Sequence, residues 1–240
     1  MSRNDANKDA IAFIPARGGS QRVTRKNLRL LGGKPLLQWA VDVANASDLF
    51  TEIVVDSDDA EILEVGGALG ATPEQRSPEL GQSDVKIIDV LQHFINRRGL
   101  RGDRVIGVLL PTTPLRSVRD LSDAHQLFLD HDGTNPIVSV ATFERPVRLA
   151  QRVNSEGRLE PLFPDDYARS TRSQDQEVAY WYNGAIIFNS AGRFLAQRNL
   201  IGETPVPYVM PLDRSIDVDH EVQLEMLEAI LTLRTEQSAE

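Results

Sequence analysis

Cysteine is missing altogether from this 240-residue chain, which removes disulfide frameworks, thiolate metal centres and cysteine nucleophiles from consideration. The absence agrees with a reducing compartment, and a cytoplasmic location is expected. Long apolar runs are missing too. No stretch approaches the roughly 20 residues that a membrane-spanning helix requires, so no membrane partner is expected. The opening MSRNDANKDA is polar, lacks the hydrophobic segment of a secretory signal, and reads as a frayed arm. Positive charge is in short supply, with 26 Lys and Arg against 35 Asp and Glu and a net charge of −9. Nucleic-acid backbones are bound by clustered surplus cations, so nucleic acid is not an expected partner. Neither GxxxxGK(S/T) nor GxGxxG occurs, which disfavours a P-loop kinase and a dinucleotide dehydrogenase. No serine sits in a GxSxG elbow, and the four histidines show no HExxH-type spacing, so acyl-transfer and histidine-metal chemistry are unsupported. Internal repeats and low-complexity tracts are absent.

What is present is an α/β rhythm. With 41% hydrophobic and 25% charged residues, the chain is sized for one large domain spanning 1–240. Ile11 to Pro15 is almost wholly apolar, the pattern of a strand covered on both faces, and runs into the glycine-rich turn Ala16-Arg17-Gly18-Gly19-Ser20. Residues 35–44 space their apolar positions for a helix with proline in its first turn. Further strands are expected at 52–56, 104–110 and 135–142, with helices at 59–68, from Ser83 or Asp84 to about Arg97, and at 118–131. The prolines of Pro111-Thr112-Thr113-Pro114 end the strand at 104–110. Such alternation predicts a doubly wound, mainly parallel sheet of the Rossmann-like, nucleotide-binding kind. The rhythm breaks from Arg145 to about Val178, where Asn154 to Gly157 reads as a hairpin turn and Phe163 to Asp166 as a loop, so an inserted arm is expected. It resumes with a strand at 182–189, a short helix near 191–197, a strand at 206–210 and a last helix at 221–234.

Two places carry chemistry. Glycines at 18 and 19 let backbone amides approach phosphate oxygens, and Arg17, Arg22, Arg25, Lys26 and Arg29 form the one dense basic run, suited to a small polyanion. Near the other end, Asp217 and Asp219 lie two apart; in an extended stretch both carboxylates leave one face and can share a hard cation such as Mg²⁺. An acidic pair before a helix also serves as a cap, and residues 220–234 form such a helix.

The string IPARGGSQRVTRKNLRLLGGKPLLQW closely resembles the opening signature of the acylneuraminate cytidylyltransferases, the CMP-sialic acid synthetase family, approximately IPARxGSKxxxxKNxxxxxGKPLL. Further likenesses follow in order: Val55-Asp56-Ser57-Asp58, Arg76 to Asp84, Leu109 to Arg116, Asn183-Gly184-Ala185-Ile186 and Ser215 to Asp219. The resemblance implies a Mg²⁺-dependent transfer of CMP from CTP to the anomeric hydroxyl of a nonulosonic acid, an acidic nine-carbon sugar, with release of pyrophosphate. It implies that Arg17, Ser20, Lys26 and Asn27, with neighbouring Ala16, Gly18, Gly19 and Arg22, hold the phosphates and ribose, and that Arg76 and Ser83 read the cytidine. It implies Asp217 and Asp219 as metal ligands, Arg17, Lys26 and both acids as catalytic residues, and Leu110, Thr112, Arg172, Gln174 and Asn183 on the sugar side. Arg172 would clamp the sugar carboxylate with paired charge-assisted hydrogen bonds. The arm resembles the segment through which relatives dimerise, and a homodimer is expected.

Two positions depart from the family pattern. Gln21 stands where a phosphate-binding lysine is usual, with Arg22 beside it, and Leu110 stands where sialic-acid enzymes place a glutamine that contacts the sugar. Thr171 to Asp175 resembles the pseudaminic-acid branch and Asn183 to Ile186 the sialic and legionaminic branches, so the sugar is left open. Three other readings compete: a GT-A-like glycosyltransferase using Asp56-Ser57-Asp58 as its metal motif; a cytidylyltransferase for the eight-carbon acid Kdo, whose opening resembles IPARxxSxRLPGKPL and lacks the Lys26-Asn27 spacing; and a catalytically silent nucleotide-binding homologue.

Overall fold

The structure, a computed structural model, describes residues 10–20, 22–169 and 177–239; the expected arm at the N-terminus, Gln21, Arg172 and Gln174 lie outside the described residues. Its centre is a seven-stranded sheet built from β1 (Ala10–Pro15), β4 (Phe50–Ser57), β5 (Thr72–Gln75), β6 (Val105–Val108), β7 (Ile137–Thr142), β10 (Tyr180–Ser190) and β11 (Val206–Val209). The strand order is β11-β7-β10-β6-β1-β4-β5. β1 pairs in parallel with both β4 and β6, β4 with β5, and β11 with β7, whereas β10 runs antiparallel between β6 and β7. The mainly parallel, doubly wound sheet is therefore present, with one reversed strand.

The alternation of side chains along β1 explains why its sequence is apolar throughout. Ala12 and Ile14 face one side, where they pack with Leu37, Ala40 and Val41 of α1 (Leu36–Ser47), Ile62 of α2 (Ala60–Ala68) and Leu121, Ala124 and Phe128 of α4 (Val118–Asp130). Ile11 and Phe13 face the other, against Ile88, Leu91, Phe94 and Ile95 of α3 (Ile87–Arg98) and Phe194 of α6 (Ala191–Ala196). A strand buried on both faces has no polar face to present. Helices thus cover both sides of the sheet.

Local chemistry sets the helix starts. The Asp59 carboxylate accepts from the amides of Glu61 and Ile62 and caps α2; Ser117 and Asp120 form a reciprocal capping box on α4. The expected start of α3 at Ser83 or Asp84 is corrected: the helix begins at Ile87 with Lys86 at its cap, because the chain first makes a 3-10 turn at Pro78–Gly81 and then a loop along the cleft. Two elements were not expected. Leu30–Leu31 and Lys34–Pro35 pair as a small hairpin, β2 and β3, across Gly32 and Gly33, both with positive φ. β5 adds an edge strand. In the segment after β7, Gln151–Val153 and Leu159–Pro161 pair as β8 and β9 around the turn at Asn154 to Gly157, and Pro164–Arg169 forms a helix, α5, where a loop was expected. The final helix α7 (Glu221–Ala239) closes a third, smaller core with Leu224 and Leu227 against Val23, Leu31, Leu36, Leu115 and Val218.

The crossing of β6 beneath two aromatic rings leaves no volume at Gly107, where an added Cβ would lie 2.8 Å from ring carbons of both Phe50 and Phe188. Gly107→Ala is expected to cost about 1–3 kcal/mol through overpacking. Urea unfolding monitored by circular dichroism checks this, and an unchanged midpoint would contradict it.

Candidate active site

In open sheets of this class, ligands bind at the carboxyl ends of the strands where the order reverses, here between β1 and β6. A cleft of about 560 Å³ opens there, within the range of a small-molecule site. Its lining draws on the turn after β1, the loop before α3, the turn after β6 and the segment before α7.

The turn after β1 supplies the cations. Arg17, Ser20, Arg22, Lys26 and Asn27 line the cleft. Asn27 is buried and its Nδ2 donates to the Arg17 carbonyl (2.9 Å), pinning the turn, while Arg17 Nη1 donates to the Ser83 carbonyl (3.3 Å) across the cleft. The expectation that the loop amides stand open is corrected for two residues. The amide of buried Ala16 donates to the Asp56 carbonyl (2.9 Å) and that of Gly18 to Asp58 Oδ1 (3.0 Å). Gly18 is needed for a different reason: a Cβ there would lie 2.8 Å from the Asp59 side chain. Gly19 is exposed and does not line the cleft.

The opposite pole comes from the far end of the chain. Lys26 Nζ donates to the Val218 carbonyl (2.6 Å) and to Asp219 Oδ1 (3.1 Å), and Arg22 lies 2.9 Å from Asp219 Oδ2. The Val218 amide in turn donates to the Thr112 carbonyl (2.8 Å). Three distant motifs are thereby tied at one point. Although partial burial opposes it, the Lys26 hydrogen bond and the two cations hold the Asp219 carboxyl below its ordinary pKa. Asp217 behaves oppositely: burial, aided by repulsion from Asp219, pushes its carboxyl up against the pull of the Thr112 hydroxyl. Its Oδ1 is buried and carries no hydrogen bond. No strand pairs here; Asp219 lines the cleft, and Asp217 sits beside Thr112, close enough to Asp219 for the two charges to repel.

Polar and apolar groups complete the walls. Arg76 is buried and lines the cleft, but its Nε and Nη2 are engaged by Asp56, at 2.5 Å from the carboxylate and 3.2 Å from the carbonyl. Ser83, Leu110 and Thr112 also line it. Asn183 does not, which corrects its expected contact with the sugar. Its Oδ1 accepts from Ser139 Oγ (2.6 Å) and the Ala185 amide (3.1 Å), and its Nδ2 donates to Ser215 Oγ (2.9 Å). With its amide consumed, Asn183 positions the segment leading to the acids. Neither Asp56, bound to Arg76, nor Asp58, bound to Gly18, lines the cleft, so Asp56-Ser57-Asp58 does not present the metal pair a glycosyltransferase needs.

Arg116 is the residue that sequence inspection missed. Wholly buried, it donates to the carbonyls of Leu110, Thr113 and Ala185, holding the turn after β6 to β10, and burial pulls its pKa down to about 9. The signal available was its place in the quoted stretch Leu109 to Arg116.

A family model described as cytidylyltransferase matches residues 11–199, more than half of the chain. The chain belongs to the cytidylyltransferase family. Among its relatives, a pseudaminic acid cytidylyltransferase from Campylobacter jejuni is 29% identical over 94% of this chain and 97% of its own length. A CMP-N,N'-diacetyllegionaminic acid synthase from Legionella pneumophila is 30% identical over 94% and 97%. An N-acylneuraminate cytidylyltransferase from Escherichia coli is 26% identical over 90% of this chain but only 50% of its own length, so the chain spans about half of that relative. The fold is likewise that of solved structures. CMP:2-keto-3-deoxy-manno-octonic acid synthetase in complex with CTP superposes with a TM-score of 0.69 at 17% identity, over 95% of this chain and 100% of the other. A 4-diphosphocytidyl-2C-methyl-D-erythritol synthase gives 0.68 at 13% identity, over 93% and 98%.

One buried acid ties the site to the core. Asp120, wholly buried, receives Arg214 (2.9 Å to each oxygen) from the segment that carries Asp217 and Asp219. Burial alone would raise its pKa, but Arg214 and the Ser117 amide and hydroxyl outweigh it and hold the carboxyl below its ordinary value. A depressed folded-state pKa contributes stability above the unfolded-state value, near 4, and loses it as pH falls through the folded one. Asp120→Asn is therefore expected to cost about 3–5 kcal/mol at neutral pH. The gap from wild type should close progressively below about pH 4 in denaturant titrations. A gap that is constant with pH would contradict the assignment.

Proposed function

We propose that this chain transfers CMP from CTP to the anomeric hydroxyl of a nonulosonic acid, releasing pyrophosphate. The observation that carries this is the meeting of Arg17, Arg22 and Lys26 with Asp219 in one cleft at the carboxyl ends of β1 and β6. The three cations suit a triphosphate, and Arg76 with Ser83 suits the few polar edges of a pyrimidine. The acceptor hydroxyl attacks the α-phosphorus in line, the bond to the bridging oxygen of pyrophosphate breaks, and the hydroxyl proton passes to solvent. Positioning and charge stabilisation by Arg17 and Lys26 supply the catalysis, with no covalent intermediate.

The residues fit a Mg²⁺ ion. Among the described residues no three His, Cys, Asp or Glu side chains gather as a metal cage. Mg²⁺ usually takes only one or two carboxylates, together with substrate phosphates and water. Asp217 Oδ1, buried without a partner, and Asp219, facing the cleft, are the pair that would hold it. Bound there with the nucleotide, the ion would neutralise charge on the phosphates. The protein's own part is an exchange of partners: phosphate oxygens draw Lys26 and Arg22 away from Asp219 and free that carboxylate. On the sugar side, the resemblance assigns Arg172 to the acceptor carboxylate and Gln174 beside it. A cytoplasmic location belongs to the same proposal, since the activity would consume CTP.

A homodimer belongs to the same proposal. The β8–β9 hairpin and α5 leave Val153, Leu159, Leu162, Phe163 and Tyr167 exposed, Val153 and Leu159 at 67% and 69%. Apolar exposure of this density on an arm suits a second copy of the chain. Light scattering at micromolar concentration is expected to give the dimer mass, and a monomer would contradict it. Asp219→Ala, assayed with CTP, Mg²⁺ and a panel of nonulosonic acids, is expected to slow pyrophosphate release by at least about 100-fold. Turnover close to wild type would remove the assignment, and CTP binding without turnover in the wild type would instead support a silent homologue.

A further inference from the structure

The carboxyl end of β4 lies between two loops that line the cleft. β4 sits between β1 and β5 in the sheet, so the turn after β1 passes on one side of its end and the loop after β5 on the other. Arg17 and Ser20 line the cleft from the first loop, Gln82 and Ser83 from the second. Backbone bonds to β4 fix the root of each: the Ala16 amide donates to the Asp56 carbonyl (2.9 Å) and the Arg76 amide to the Ser57 carbonyl (2.8 Å). Farther along both loops a side chain takes over. Asp58, the first residue beyond β4, accepts from the Gly18 amide through Oδ1 (3.0 Å). The same side chain packs on Gly81, where an added Cβ would lie 2.8 Å from Asp58 Oδ2 and 2.9 Å from Asp58 Cβ. Asp58 therefore fills the space between the two backbones, at glycines adjacent to Arg17 and to Gln82.

Resting on CTP as the nucleotide of this cleft, we propose that Asp58 is a positioning residue that sets the distance between the turn after β1 and the loop before α3, and with it the width of the nucleotide's seat. Charge gives no reason for a carboxylate at this place, since an acid beside a turn that offers cations to phosphates repels those phosphates. Geometry does give one. Without Oδ1 the Gly18 amide loses its acceptor, and without the rest of the side chain the Gly81 backbone loses the group it rests on. The Gly18 carbonyl accepts in turn from the amide of Ser20 (3.1 Å), so the stretch that Asp58 holds also carries a residue of the cleft. Arg17 reaches the Ser83 carbonyl (3.3 Å) across the gap so defined, and a change of its width displaces both residues relative to one ligand.

Calorimetric titration of CTP into three variants separates the spacing from the charge. Asp58→Asn keeps the acceptor and the volume and removes the charge; it is expected to bind CTP within about threefold of the wild type or more tightly. Asp58→Ala removes acceptor and spacer, and at least about tenfold weaker binding is expected. Gly81→Ala leaves Asp58 unchanged but pushes the backbones apart, because the Asp58 Cβ cannot swing away as its carboxylate can; binding weaker by about fivefold or more is expected. If Asp58→Ala lowers the melting temperature severely, Gly81→Ala and Asp58→Asn decide. CTP affinity within about twofold of the wild type in either folded alanine variant, or an asparagine variant that has lost tenfold in affinity, would overturn the role of Asp58 while leaving cytidylyl transfer intact. No binding of CTP to the wild type would overturn the proposed function, and the role of Asp58 with it.

Discussion

The contact on which the site depends is the ion pair between Lys26 and Asp219, 193 positions apart in sequence. Lys26 is mostly buried, with 15% of its side chain exposed, and it holds both the Asp219 carboxylate and the Val218 carbonyl. A cation so placed binds the last segment of the chain to the first crossover. The segment is fixed again by Val218 on Thr112 and by Arg214 on Asp120, so its acids are presented from a frame and not from a loose loop. Asp219 is 44% exposed, which keeps its own pairing weak in stability terms and open to exchange with a ligand.

The sheet explains why the two ends of the chain meet. β1 lies at the centre, with β4 and β5 to one side and β6, β10, β7 and β11 to the other, so turns after β1 and β6 face each other across the point of reversal. The antiparallel β10 then contributes from within the sheet. Its register shifts between Tyr182 and Ile187, and the irregularity carries Asn183 and Gly184. Asn183 ties β7 to Ser215, and Gly184 backs Leu110, so one bulge supports both the acid segment and the turn after β6.

Much of this was legible in the residues, and the failures have physical causes. The apolar run of β1, the Asp59 cap of α2, the serine before α4 and the Asn154 to Gly157 turn are local signals, and the structure follows them. β5 was not legible because only Glu74 in Thr72–Gln75 is buried, and it is buried as a partner of Arg97 and Arg98, which no local pattern reveals. The Gly32-Gly33 hairpin was legible in principle, since two positive-φ residues between apolar positions are the mark of a tight turn. Ser83 was misplaced as a cap because a serine's preference for helix starts yields to a loop that must follow the cleft. Of the basic run, Arg17, Arg22 and Lys26 line the cleft together with Asp219, whereas Arg25 pairs with Asp59 and Glu61 and Arg29 with Glu221. Residue type could not show that the Ala16 and Gly18 amides are already bonded, that Asp56 holds two of the Arg76 nitrogens, or that Asn183 is enclosed. Those facts depend on partners brought together only by the fold.

Under the proposed function, a cytidine nucleotide is the ligand on which both poles act. The most direct test is calorimetric titration of CTP into the wild type and into Lys26→Met, which removes the charge and keeps most of the side-chain volume. The account predicts measurable CTP binding to the wild type and at least about a tenfold weaker affinity in the variant, since one phosphate partner and the tether to the Val218 carbonyl are lost together. Equal affinity in the two proteins, or no binding of CTP to the wild type, would contradict it.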